Sequence, residues 1–332
     1  MKKCVKIALA LGRVSVNPDY GKHFPVMLPE VLMALSPQNG EVYVDATFGN
    51  GGYSEAILNS ADCKVIALDR DPDVLARSVE LKVKYGDRFE FRAGQFGDFA
   101  DLVTENINGA VFDIGVSSMQ LDEAERGFSF SKDAPLDMRM SQNGVTAADL
   151  VNTLSESELA DIIYNYGEER KSRQIAHRII EYRKIKPISG TKELADIICS
   201  VVKNSSGGIN PATRTFQALR IAVNNELEEL SKGLYGAAKR LVIGGRLVVV
   251  DFHSLEDRIV KNYFKDNSAK SKHVSKYAQH KVEDDRMLFG FCSKVILPSE
   301  EELKINPRSR SAKLRYAIKK NYIMGRNINE QY

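Results

Sequence analysis

The segment Asp45-Ala-Thr-Phe-Gly49-Asn-Gly51-Gly52 follows directly on the short apolar run Val42-Tyr-Val44. Three more loops repeat the arrangement. They are Leu68-Asp69-Arg70-Asp71 after Val65-Ile-Ala-Leu68, Gly94-Gln95-Phe96 after Phe89-Glu-Phe91, and Asp113-Ile-Gly115-Val-Ser-Ser118 after Ala110-Val-Phe112. Short strands whose C-terminal ends carry Gly or Asp describe the ligand edge of an open parallel sheet. A nucleotide-containing ligand is the first expectation for such an edge.

The order of elements supports that sheet. From about residue 41 to 118 β-type runs alternate with helical segments over Ser54–Ser60, Pro72–Lys84 and Asp98–Asn106, which predicts βαβ units. Pro72 suits a first helical turn, where a missing N–H is harmless. From Thr146 the periodicity becomes helical, over Ala147–Leu154, Glu156–Tyr166, Ser172–Lys184 and Lys192–Val202. Pro187 and Ser205-Ser-Gly207-Gly208 interrupt this run. A long helix is expected from Thr213 to about Leu241, stopped by Gly244-Gly245 as its C-cap. Strand character resumes over Arg246–His253, Ser254-Leu-Glu-Asp257 is shaped to open another helix, and Gly290–Leu297 with Ser311–Lys319 read as a closing hairpin. The expected fold is one α/β sheet interrupted by an all-helical insertion. Its parts are an N-terminal extension (1–22), a first sheet segment (23–122), the insertion (123–222) and a second sheet segment (223–332).

Bulk properties narrow the classes. The 332 residues suit about two domains, and 43% apolar with 27% charged residues is ordinary for a packed core. A net charge of +3 means that a polyanion must be met by local patches. No apolar run approaches the roughly 20 residues of a membrane helix. The basic start, Met1 to Ala10, has an apolar stretch shorter than the roughly 7–15 residues of a signal-peptide core. Cys4, Cys63, Cys199 and Cys292 form no Cys-x-x-Cys pair, so no metal site or disulfide framework is expected, and a reducing cytoplasmic setting fits. Cys63 is expected to begin a buried strand as a small hydrophobe.

The glycine turn, Gly49-x-Gly51-Gly52-x-Ser54, lacks the last glycine of a dinucleotide fingerprint, which disfavours a nicotinamide cofactor. S-adenosylmethionine fits better, since it carries a carboxylate, a sulfonium, a ribose and an adenine but no pyrophosphate. Its carboxylate suits the helix N-terminus at Gly51 and Gly52. Asp69 stands where a carboxylate accepts from both ribose hydroxyls, with surface helix capping as the alternative. Asp45 and Asp113 are expected beside the sulfonium. Phe96 offers an apolar surface to adenine, with a plain core role as the alternative.

Beyond the segments above, the chain carries His23-Phe-Pro-Val26, Arg126-Gly-Phe-Ser-Phe130, Asp137-Met-Arg-Met140 and Tyr166-Gly-Glu-Glu-Arg170. Asn210–Arg220, Phe252-His-Ser-Leu-Glu-Asp-Arg258 and Asn306–Ser311 follow. With these, residues 23 to 317 resemble the RsmH (MraW) family of bacterial methyltransferases. The resemblance implies a class I, Rossmann-like methyltransferase sheet with an inserted helical domain. It implies an intracellular enzyme that methylates the N4 amine of a cytosine in the decoding region of 16S ribosomal RNA, in the small subunit or its precursor. It also maps the family's S-adenosylmethionine contacts onto Gly51, Gly52, Tyr53, Asp69, Phe96, Asp113 and Gln120. Tyr53 departs from the family's usual His, which puts a side-chain contact there in doubt. The sequence leaves open the oligomeric state, monomer or homodimer, and the need for a metal ion.

The cytosine N4 lone pair is delocalised into the ring, so the amine needs in-line approach to the methyl group, an acceptor for N4–H and eventual proton loss. The Asp/Asn-Pro-Pro-aromatic motif of many DNA amino-methyltransferases is replaced here by Asp113-Ile-Gly-Val-Ser-Ser. Asp113 is the candidate catalytic group, as base, as acceptor, or as cofactor contact only. An Asp near its ordinary pKa of about 3.9 is a weak base. Phe252 is a candidate to stack on an extruded base, or else packs in the core; His253 is a candidate proton relay, or else a structural hydrogen-bonding residue. Arg214 and Arg220 could face phosphate or form ion pairs. Phosphate contacts are also expected from Lys304, Arg308, Arg310, Lys313, Arg315, Lys319, Lys320 and Arg326, opposed only by Glu330. Lys261, Lys265, Lys270, Lys272, Lys276 and Lys281 flank or fall within a polar segment, Asn267–Gln279, expected to be a mobile loop. In the insertion, Arg170, Lys171, Arg173, Arg178 and Arg183 add to the basic surface. Competing readings keep the donor but methylate DNA or a protein amine, or keep RNA binding without turnover.

Overall fold

The computed structural model describes residues 25–202, 210–268 and 287–320. Its N-terminal sheet segment runs α1 (Leu28–Leu35), β1 (Val42–Asp45), α2 (Gly52–Ser60), β2 (Lys64–Asp69), α3 (Leu75–Tyr85), β3 (Phe89–Ala93), α4 (Phe99–Leu102), β4 (Ile107–Asp113) and α5 (Ser118–Asp122). The helical segment contains α6 (Ala147–Thr153), α7 (Glu156–Gly167), α8 (Ser172–Arg183), α9 (Thr191–Val201) and α10 (Thr213–Asn224). The chain then returns to the sheet with α11 (Glu226–Arg240), β5 (Leu241–Asp251), α12 (Ser254–Asp266), β6 (Phe289–Cys292), α13 (Glu300–Ile305) and β7 (Lys313–Lys319).

The seven strands lie in the order β3-β2-β1-β4-β5-β7-β6. The first five are parallel, and β7 runs antiparallel to both β5 and β6. This is the class I, Rossmann-like sheet expected, with its topological switch between β1 and β4, where a ligand crevice opens. Strand residues alternate between the two faces. Val65, Ala67, Val111, Val248 and Val250 pack under α1, α2 and α3. Ile66, Leu68, Phe112, Leu247 and Val249 pack against Phe99, Leu230, Leu234 and Phe264 on the other face. Each fully buried aliphatic side chain contributes about 1.5–3 kcal/mol. Cys63 is buried one residue before β2, close to its expected place.

A separate apolar cluster, from Phe128 to Leu219, belongs to the helical segment, with α10 packed on α7. Capping boxes open two of its helices: Thr146 with Asp149, and Ser155 with Glu158.

Several boundaries differ from expectation. The long helix is two helices, because Asn225 turns left-handed at φ 51°, a conformation that Asn tolerates better than most residues. Gly244-Gly245 caps no helix. The helix ends at Arg240, and the glycines lie in β5, in the irregularity between the Leu241–Ile107 and Arg246–Gly109 pairs, with Gly244 at φ 80°. The Asp98–Asn106 helix shrinks to α4 because Glu105 turns back to accept from Thr104 N–H and to pair with Arg92. The closing strands do pair antiparallel, but α13 and a 3₁₀ turn (Pro307–Ser311) intervene, so no tight hairpin forms. The expected N-terminal extension, the breaker at 205–208 and most of the expected loop at 267–279 lie outside the described residues.

Candidate active site

A cavity of about 580 Å³ opens at the switch point. Its floor is the loop after β1. Asp45 Oδ2 accepts from Ser54 N–H (3.1 Å) and Ser54 Oγ (2.7 Å), and Oδ1 accepts from Thr47 N–H (3.3 Å). Fully buried, this carboxylate stitches the loop to the first turn of α2, and burial raises its pKa to about 6. Asp45 is absent from the cavity lining, which corrects the expectation that it faces a sulfonium.

Gly51 and Gly52 make the turn possible. Gly51 sits at φ 73°, where a Cβ would lie 2.8 Å from the Phe48 ring, and a Cβ on Gly52 would lie 2.3 Å from Pro25 Cγ. Asp69 lines the cavity from the end of β2. Its Oδ2 accepts from Gly49 N–H at 2.8 Å and its Oδ1 from Asp71 N–H at 2.9 Å. Burial raises its pKa, against those two backbone donors. Phe96 lines the cavity while its ring stands edge-on to Phe112, with centroids 5.8 Å apart. It is therefore both wall and core.

Asp113 ends β4, its N–H donating to Thr47 Oγ1 at 2.7 Å. The carboxylate lines the cavity, and its Oδ1 is shielded from solvent with no hydrogen-bond partner. Burial, then the charges of Asp45 and Glu256, push its pKa up to about 8, with the Tyr53 hydroxyl pulling the other way. Asp113 is thus far from an ordinary aspartate. The Tyr53 hydroxyl donates to the Val26 carbonyl and sits beside Asp113. Gln120 also lines the cavity, yet its amide is engaged on both sides. Nε2 donates to Asp71 Oδ2 (2.7 Å) and Oε1 accepts from Ser117 N–H (3.0 Å).

Phe252 and Arg220 complete the wall. The Phe252 ring lies 3.7 Å from where a Gly115 Cβ would stand. His253, the neighbour of Phe252, is the N-cap of α12, a role expected of Ser254. Its Nδ1 accepts from Glu256 N–H (3.4 Å) and its Nε2 lies 3.0 Å from Glu256 Oε1. Among the described residues its ring is committed to the cap, and it does not line the cavity. Sequence reasoning missed Arg70, which lines the cavity and donates to Gln95 Oε1 (3.1 Å) and to the Asn224 carbonyl (3.2 Å). It also missed the latch between the segments. Arg126 pairs with Asp71 (2.9 Å) and Asp73 (2.5 Å), and Asn224 bonds Met138 O and Met140 N–H.

The basic surface is less free than its charges suggest. Lys313 and Arg315 pair with Asp257, Arg308 with Asp122, and Lys319 donates to the carbonyls of Ala238 and Leu241. Arg173 pairs with Asp161, Arg183 caps the Val151 carbonyl, and Arg214 lies 3.8 Å from Glu169. Lys304, Arg310, Lys261 and Lys265 are exposed. Lys270, Lys272, Lys276, Lys281 and Arg326 lie outside the described residues. No described helix is long and apolar enough to cross a membrane.

The residues present fit S-adenosylmethionine: a glycine turn at a helix N-terminus, an acid at the end of β2, an aromatic wall, and a second acid, Asp113, in the wall at the end of β4. Comparisons agree. The chain is 53% identical over 300 residues to the ribosomal RNA small subunit methyltransferase H of Rickettsia akari (strain Hartford), covering 90% of this chain and 98% of that protein. To the protein of the same name from Rhodospirillum rubrum it is 54% identical over 303 residues, covering 88% and 93%. The model of the MraW methylase family matches residues 21–320. With the fold, the glycine turn and near full-length identity all in agreement, this chain belongs to the MraW methylase family.

Proposed function

We propose that the chain methylates the N4 amine of a cytosine in the decoding region of 16S ribosomal RNA, using S-adenosylmethionine, in the cytoplasm. The small-subunit RNA methyltransferases it resembles support the substrate class. The observation that carries the chemistry is Asp113, a cavity-lining carboxylate whose Oδ1 is buried and unpaired. In this reading the helical segment, residues 123–222, helps to hold RNA over the cavity, and exposed Lys304 and Arg310 meet phosphate.

Bound S-adenosylmethionine supplies an electrophilic methyl group on a sulfonium. Asp69 would hold the ribose while keeping Gly49 in place; the Gly52 N–H at the start of α2 would meet the carboxylate, Gly51 shaping the turn with its own N–H on the Phe48 carbonyl at 2.7 Å, and Phe96 would flank the adenine. Tyr53 and Gln120 brace this pocket. Phe252 stacks on the extruded cytosine and turns its amine toward Asp113. A cation beside Asp113 favours its ionised form, so the proton held there near neutral pH is released as the site fills. The carboxylate then accepts N4–H and directs the lone pair. On methyl transfer the amine would become acidic, and Asp113 would take its proton.

The test is a transfer assay with tritiated donor, using small ribosomal subunits and naked RNA from cells lacking the modification. Nuclease digestion and mass spectrometry should find N4-methylcytosine at one position. Label found only in protein or DNA would refute the proposal.

A further inference from the structure

Arg220 projects from α10 into the cavity wall with its side chain only 15% exposed. Its Nε and Nη2 each donate to an oxygen of Glu226 at 2.8 Å, and Glu256 Oε1 lies 4.0 Å from Nη2. A bidentate carboxylate fixes the plane of a guanidinium, and two acids behind it offset its charge. Glu226 takes the Nε–Nη2 edge, which leaves the Nη1–Nη2 edge for a further acceptor. Nη1 makes no hydrogen bond to any described residue. Glu256 also accepts from Phe252 N–H at 3.0 Å, so one buried carboxylate lies behind both the Phe252 wall and the Arg220 wall.

We infer that Arg220, through the parallel N–H groups of Nη1 and Nη2 that Glu226 leaves free, reads the ring acceptors next to the target amine and thereby selects cytosine. The inference rests on the proposed function. Cytosine presents, in sequence around one edge, an N4 donor, an N3 acceptor and an O2 acceptor. Asp113 takes the donor, and the free Nη1–Nη2 edge has one N–H for each acceptor. Uracil inverts the first two groups, setting O4 against the Asp113 carboxylate and N3–H against a cation. Guanine makes the same two mismatches. Adenine matches the amine and its neighbouring nitrogen but offers C–H where O2 should be. A site whose buried polar groups are left unmatched rejects a ligand strongly, so the pair Asp113 and Arg220 sets cytosine apart from the other three bases. Having Glu226 and Glu256 behind it lets Arg220 donate hydrogen bonds without adding net positive charge near an amine that becomes cationic during transfer.

The experiment uses the full chain with unmodified small subunits as substrate and the 5′-monophosphates of cytidine, uridine and adenosine as competitors. Arg220→Lys retains the charge but loses the fork. We expect inhibition by cytidine monophosphate to weaken about 10–100-fold, the size of a lost charge-assisted contact, and KM for subunits to rise at least about tenfold. Donor affinity by calorimetry should stay within about twofold. Should Arg220→Lys lose its thermal transition, the neutral pair Arg220→Gln with Glu226→Gln carries the same test, judged by the same readouts. An unchanged preference for cytidine over uridine monophosphate with intact donor binding overturns the inference while leaving the proposed function standing. A fall in donor affinity parallel to the fall in nucleotide affinity also overturns it, because Arg220 would then be bracing the whole cavity. Wild-type protein that methylates no cytosine in subunits overturns the proposed function itself.

Discussion

Asp69 Oδ2 accepts the N–H of Gly49 at 2.8 Å, joining the end of β2 to the glycine turn after β1. One carboxylate thus shapes the pocket before any ligand arrives. Replacing Asp69 by Ala removes that bond and the proposed ribose contact together. Donor affinity should drop about 10–100-fold, while turnover at saturating donor falls far less. Calorimetry and single-turnover assays separate the two quantities; equal losses would contradict the assignment.

Asp113 should behave differently. Asp113→Asn keeps the shape but removes the proton acceptor, so turnover should collapse while donor binding persists. In the wild type, kcat/KM reports the free enzyme, where the carboxyl titrates near 8. Its acid limb should therefore rise through that region, and the limb of kcat should lie lower because a bound cation favours ionisation. Stopped assays from pH 5.5 to 9.5 would reveal both limbs. Superimposable limbs would argue against a cation beside Asp113.

Asp251 predicts a stability effect. At the end of β5 it is fully buried with neither oxygen hydrogen-bonded, and burial, then Asp257 and Glu256, raise its pKa to about 8. A folded-state pKa above the unfolded value of 3.8 means that the folded form binds the proton more tightly. Its stabilising share is complete below about pH 4 and is lost as pH climbs through 8. Asp113 adds to the same trend. Asp251→Asn should be more stable than wild type at pH 9 by about 1–3 kcal/mol, and its advantage should shrink toward pH 5. Urea unfolding at the two pH values measures it.

Asn224 ties α10 to the segment after the first sheet region, through Met138 O at 2.7 Å and Met140 N–H at 2.9 Å. Asn224→Ala leaves both buried backbone groups unpaired and should destabilise by about 2–4 kcal/mol. A thermal melt that splits into two transitions would mark the loosening of the helical segment from the sheet.

The sheet was readable because its physics is local. Each strand announces itself by β-type residues, and each loop by a Gly or Asp that the turn requires, so β1, β2, β3 and most helices fall within a residue or two of expectation, while β4 and β5 begin three and five residues before their expected starts. What escaped was decided by which partner each polar group finds once the chain is folded. Asp45 looks like a ligand-facing acid until Ser54 is seen to occupy it. Asn225 breaks a helix whose apolar periodicity runs on regardless. The basic residues near the C-terminus suggested an open phosphate surface, but Asp257 and Asp122, on other elements, neutralise several of them. Of the two readings open for His253, the structural one holds, because Glu256 three residues on completes a capping box with it.

Arg70 reaches from the β2 loop to the Gln95 side chain and the Asn224 carbonyl, so a single guanidinium fastens three stretches separated by up to 154 positions. During synthesis, then, the early glycine turn emerges long before the last of these anchors exists. A nascent chain halted short of α10 would own every residue of the nucleoside cradle and still lack the clasp that closes one side of it, which ties competence for catalysis to completion of the helical segment.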